Sequence, residues 1–105
     1  MIVRISASAV PESSLNDYLA HVERNEIPHY EGASGLVSVW LLERRFVAYV
    51  EVMTISLWRS EEALNEFVEK RRVDLASSGD RGIQLEPWIY QLVMSRGSTL
   101  RDSDC

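Results

Sequence analysis

Between Val47 and Trp58 the chain is apolar at both parities. Tyr49, Met53, Ile55 and Leu57 fall on one face of a strand, and Val50, Val52 and Trp58 on the other. A strand with water on one side alternates apolar and polar residues, so this one is expected to be covered on both faces. At Arg59-Ser60 the pattern turns helical. Ser60 is placed to cap the helix, Glu61 and Glu62 lie in its first turn, and Ala63, Leu64, Phe67 and Val68 form its inner stripe. Lys70, Arg71 and Arg72 are assigned to its C-terminal end, where cations suit the helix dipole.

Upstream, residues 2–10 alternate. Val3, Ile5, Ala7 and Ala9 form one face, and Ile2, Arg4, Ser6 and Ser8 the other, which predicts a strand. Pro11 ends it. Ser13 or Ser14 is the expected cap of a first helix whose stripe is Leu15, Tyr18, Leu19 and Val22. Pro28 predicts a stop near Ile27, leaving His29 and Tyr30 in a loop. Leu36 to Leu42 reads as a second strand, with Glu43-Arg44-Arg45 as a hairpin turn. Val73 to Leu85 reads as irregular with a short helical turn, and Glu86 to Met94 as a fourth strand entered through Pro87.

The order is β-α-β-β-α-β, so the predicted fold class is α+β, ferredoxin-like, with a four-stranded antiparallel sheet. Right-handed crossovers put both helices on one side of the sheet. Two helices cover one face only. The other is assigned to a second copy of the chain, giving a homodimer of two sheets face to face.

Composition narrows the function classes. The 105 residues suit one domain, taken as 1–95 with a polar tail at 96–105. Sixteen acids against eleven bases give a net charge of −5, which argues against a phosphate-backbone ligand. Arg45 to Val52 partly echoes the third-strand motif of RNA-recognition modules, but Phe46 stands for its glycine and Val47 and Val52 for its aromatics. The expectation is therefore no nucleic acid. The one cysteine, Cys105, suits a reducing cytoplasm. No apolar run approaches the ~20 residues of a membrane helix, and the N-terminus lacks the pattern of a signal peptide. Two histidines and one cysteine supply no metal constellation. Nucleotide-binding and nucleophile-elbow motifs are absent.

Each candidate functional side chain has two readings. Trp58 is a core plug or a wall for a flat ligand. His29 is a proton-transfer group or a solvated histidine, and Tyr30 a hydrogen-bond donor to an oxyanion or a cap on the core. Arg4, Ser6 and Ser8 line a cavity or a wet interface. Glu51 is expected to pair with Arg4, because an unpaired charge in a central strand is costly.

Met1-Ile2-Val3-Arg4-Ile5, the Ile27-Pro28-His29-Tyr30 turn leading to Gly35, and Leu57-Trp58-Arg59-Ser60-Glu61-Glu62-Ala63 together resemble the antibiotic biosynthesis monooxygenase-type domains of the dimeric α+β barrel proteins. The resemblance covers about residues 1–95, and its most recognisable piece is Trp-x-Ser-x-x-Ala. It implies a homodimer with a small pocket in each subunit. The known enzymes of the group are cofactor-free oxygenases acting on polycyclic phenols, and haem-degrading oxygenases. Trp58 matches a pocket tryptophan of both. Ser6 lies near a position that carries asparagine in the haem-degrading enzymes, and no histidine follows His29 to bind iron. Where relatives carry His-Tyr in the last strand, this chain has Gln91-Leu92. The resulting expectation is a monooxygenase without cofactor, acting on a small aromatic or polycyclic phenolic metabolite. Its catalytic candidates are His29 and Tyr30, and its substrate contacts Trp58, Ser6, Arg4 and Trp40. The rival expectation is a dimeric small-ligand binder of the same fold without catalysis.

Overall fold

The computed structural model describes residues 1–78 and 87–97, with residues 72–78 described by their backbone alone. Four strands, β1 (Ile2–Val10), β2 (Leu36–Arg45), β3 (Val50–Trp58) and β4 (Trp88–Gln91), form one antiparallel sheet in the order β2-β3-β1-β4. This is the expected ferredoxin-like arrangement. Between β1 and β2 run α1 (Leu15–His21), a π-helical segment (Val22–Glu26) and α2 (Ile27–Glu31); α3 (Glu61–Ser78) follows β3.

The helices pack on one face of the sheet, over two clusters. Val10, Val50 and Val52 meet Leu15, with Tyr18 and Leu19 beside them. Farther along, Trp58 meets Tyr30, Leu64 and Phe67. Trp58 is fully buried, with ring centroids 4.9 Å from Phe67 and 6.4 Å from Tyr30. Burying aromatic side chains contributes strongly to a core this small. The turn into β2 uses Gly35 at φ 88°, where a Cβ would lie 2.6 Å from the Cβ of Ala63. Only glycine fits that close approach in a left-handed conformation.

The opposite face carries Val3, Ile5, Met53, Ile55 and Leu57, flanked by Trp40, Leu42, Trp88 and Tyr90. The last four are each more than a third exposed. The second apolar parity of β3 is thus real; Met53, Ile55 and Leu57 are half-buried on the single chain, with no helix packed over them among the described residues.

Several boundaries differ from expectation. The first helical run does not stop before Pro28. Pro28 falls in the first turn of α2, where no N–H is required, and the preceding π turn (Ile27 N–H to the Val22 carbonyl) opens the helix just ahead of the ring. Ser14 stands at the start of α1 without a side-chain cap bond. Ser60 does cap α3, its Oγ accepting from Ala63 N–H at 3.2 Å. Glu43-Arg44-Arg45 is not the hairpin turn. Those residues pair with Val52, Glu51 and Val50, and the turn is Phe46 to Tyr49, closed by Phe46 N–H on the Tyr49 carbonyl. Helix α3 continues to Ser78, so Arg71 lies within it and not at its end; the remainder of the expected irregular stretch lies outside the described residues. Val68 is more than a third exposed and not part of the inner stripe. Glu51 does not pair with Arg4. Glu51 lies opposite Ala9 and Arg4 opposite Ser56, which puts the two side chains on different faces.

Candidate functional site

The register of β1 against β3 sets Arg4 opposite Ser56, Ser6 opposite Thr54 and Ser8 opposite Val52, all on the helix-facing surface. A polar row therefore crosses the sheet between the two apolar clusters. Above it the helices leave a cavity of about 30 Å³, lined by Arg4, Ser6, Ser8 and Thr54 below and by Tyr18, Glu26, Tyr30 and Arg71 above. A cavity of this size holds about one or two water molecules.

Arg4 is the unusual member. It is 8% exposed, and its Nη1 donates to the hydroxyl oxygen of Tyr30 at 3.1 Å. Its Nε is buried and has no hydrogen-bond partner among the described residues. A buried cation with an unmade hydrogen bond costs stability, and a water, an ion or a ligand group in the adjoining cavity completes the set. Tyr30, 3% exposed, accepts the Arg4 bond and keeps its own proton for a second partner. Burial raises its pKa above 10.0; the charge and hydrogen bond of Arg4 offset part of that rise. Tyr30 is thus a neutral donor at physiological pH.

A second link ties the row to the core. Trp58 Nε1 donates to Ser56 Oγ at 2.9 Å, and Ser56 Oγ donates to the Arg4 carbonyl at 3.4 Å. The indole N–H is spent on the sheet and the ring on Phe67 and Tyr30. Across the top, Arg71 of α3 pairs with Glu26 at the end of the π segment. Beyond α2, a groove of about 230 Å³ is bordered by Pro28, His29 and Gly32 on one side and by Glu66, Lys70 and Arg71 on the other.

The structure brings Arg4, Ser6 and Tyr30 together at one cavity. Trp58 lies beneath them as a core residue, and His29 borders the outer groove instead. Trp40 pairs with Ile55 on the far face of the sheet, away from the cavity. Glu26, Thr54, Ser56 and Arg71 were not foreseen. The signal for Arg71 was its position four residues after Phe67, on the same helical stripe.

No protein-family model and no curated protein matches the chain in sequence. Solved structures do match in shape. The heme-degrader MhuD from Mycobacterium tuberculosis, with two hemes bound in its active site, superposes with a TM-score of 0.69 at 19% identity, covering 92% of this chain and 100% of that one. A mutant of SnoaB, a cofactor-independent oxygenase from Streptomyces nogalater, gives 0.62 at 11% identity, over 90% and 95% of the two chains. A Bacillus cereus protein assigned by name to the antibiotic biosynthesis monooxygenases gives 0.65 at 18%, over 92% and 97%.

The residues here do not fit a haem held from α3. Haem iron takes His, Cys, Met or Tyr as its protein ligand, and residues 61–78 contain none of these. At these identities the likeness is one of fold: the chain has the ferredoxin-like α+β architecture of the antibiotic biosynthesis monooxygenase-type proteins.

Proposed function

We propose that this protein is a cofactor-independent oxygenase acting on a small aromatic or polycyclic phenol. The observation that carries the reading is Arg4: a buried guanidinium whose Nε–H meets no acceptor among the described residues, beside the hydroxyl of Tyr30, at the wall of a polar cavity. A phenol oxygen placed there meets one full positive charge and a neutral O–H donor. Both favour the phenolate over the phenol, so binding lowers the substrate's pKa and its proton passes to solvent.

A phenolate is electron-rich enough to react with O₂ directly. In the overall step the O–O bond breaks, one oxygen atom forms a new C–O bond on the ring, and the other leaves as water. The two hydrogens of that water come from the ring carbon and the phenol, so the substrate is the reductant and the product a quinone. The protein's part is to hold the anion, orient the ring and exclude bulk water. His29, bordering the outer groove, is the remaining titratable candidate. Ser6 is a hydrogen-bonding contact and Trp58 the support beneath.

A second copy of the chain is proposed to cover the bare sheet face, with Trp40 in that interface rather than in the pocket. The rival reading is a dimeric ligand binder without catalysis. The small volume of the inner cavity favours it. The test is spectroscopic. A naphthol titrated with the protein at neutral pH is expected to show the absorbance of its anion with wild type and not with Arg4→Met. Unshifted naphthol absorbance at saturation contradicts the reading.

A further inference from the structure

Arg4 is buried, at 8% exposed, and forms no ion pair among the described residues. The one described carboxylate that lines the inner cavity with it, that of Glu26, is paired with Arg71. A guanidinium does not lose its proton inside a protein. A full positive charge therefore sits under the helices of a chain whose net charge is −5, and no described side chain supplies its counter-charge. A buried charge is costly unless an opposite charge and hydrogen bonds answer it.

The cavity beside Arg4 is rich in donors. The Nε–H meets no acceptor among the described residues. Tyr30 accepts from Arg4 Nη1 and has its own O–H to give. Burial holds that proton on the oxygen. Ser6 and Thr54, register partners on β1 and β3, line the floor with hydroxyls that can turn toward an acceptor. At about 30 Å³ the space takes one or two waters, which is also the room a halide needs.

We infer that the inner cavity is a binding site for a small monovalent anion of halide size, held by the charge of Arg4 and the hydroxyl of Tyr30. Water can accept the same hydrogen bonds but brings no charge, so the buried guanidinium selects the anion. Sulfate and gluconate are too large for the space. The Glu26–Arg71 pair stays closed throughout, so no ion pair is broken when the anion binds. An anion at this position and a phenolate oxygen take the same donors, and the anion therefore inhibits phenol binding. That consequence rests on the phenol reading of the cavity; the anion site does not.

Urea unfolding of the full chain in sodium chloride against sodium gluconate, at constant total ionic strength, tests the site. A ligand held only by the native state shifts the unfolding equilibrium by mass action. Once chloride exceeds its dissociation constant, each further tenfold in chloride is expected to raise the folded-to-unfolded ratio of wild type about tenfold, the mark of one anion released per chain. Arg4→Met is expected to show no such rise, and Tyr30→Phe a rise displaced to higher chloride. Should Arg4→Met fail to fold, chloride NMR linewidths decide: wild type is expected to broaden the signal, azide to reverse the broadening, and Tyr30→Phe to broaden it less. Equal stability in chloride and gluconate leaves the cavity to water and overturns the inference. A rise that persists in Arg4→Met, or a Tyr30→Phe curve that superposes on wild type, overturns it too. Naphthol titrated at increasing chloride separates this from the preceding section. A chloride-dependent rise without naphthol binding keeps the anion site and removes the phenol; naphthol binding at Arg4 that chloride leaves unchanged keeps the phenol and removes the anion site.

Discussion

Arg4 and Tyr30, 26 residues apart in sequence, meet through a 3.1 Å hydrogen bond beneath the helices. The contact joins a central strand to the last turn of the first helical run, and it leaves the guanidinium one acceptor short among the described residues. Removing the charge tests whether the site is kept for binding rather than for stability. Arg4→Met, of comparable volume, is expected to change unfolding free energy by no more than about 1 kcal/mol, because a buried cation is often replaced by an apolar side chain without loss. The same variant is expected to lose phenolate binding. Urea unfolding beside ligand titration checks both; a large loss of stability would assign Arg4 a structural role instead.

Tyr30 gives the molecule a defined weakness to alkali. Its folded pKa is raised by burial above the 10.0 of a free tyrosine. As pH climbs past about 10 the unfolded chain releases this proton while the native state retains it. Stability from this group is therefore complete below that pH and declines as pH rises toward the folded value. Tyr30→Phe keeps the ring packed against Trp58 and Phe67 and removes the titration. Urea midpoints across the alkaline range are expected to fall more steeply for wild type than for Tyr30→Phe. Parallel slopes would contradict the assignment.

The strands and the polar row were legible in the sequence because alternation in residues 2–10 is a local signal, and register with β3 turns it into a surface. Whether Arg4, Ser6 and Ser8 faced a cavity or an interface was not legible, since it depends on which side the helices settle. Tyr30 was expected in a loop for a sound reason, the bias of the residue before proline, and the π turn at Val22–Glu26 overrode it. Arg71 escaped notice because a run of cations suits a helix end, and nothing local showed that α3 goes on to Ser78. Trp40 looks like a ligand wall by residue type alone; the pairing with Ile55 places it on the other face.

Trp58 separates plug from ligand wall. Its N–H is held by Ser56 and its ring by Phe67 and Tyr30. Trp58→Phe leaves the Ser56 hydroxyl without its donor and opens space in the core. The expected loss is about 2 kcal/mol of stability, with ligand affinity within about twofold of wild type, a change of about 0.4 kcal/mol. Unchanged stability with lost binding would make Trp58 a ligand contact.

The bare face of the sheet makes its own prediction. Ile55 lies at its centre, between Ile5 and Trp40 on the neighbouring strands. Sedimentation is expected to give a dimer for wild type at micromolar concentration and a monomer for Ile55→Asp, because a carboxylate cannot be buried there unpaired. A monomeric wild type would leave that face without the proposed partner.

The most direct measurement is oxygen consumption by the chelator-treated protein with hydroxylated polycycles. The account predicts uptake above the protein-free control, one O₂ per quinone formed, abolished by Arg4→Met and sharply reduced by Tyr30→Phe. Uptake that is unaffected by Arg4→Met, or no uptake with phenols that demonstrably bind, would contradict it.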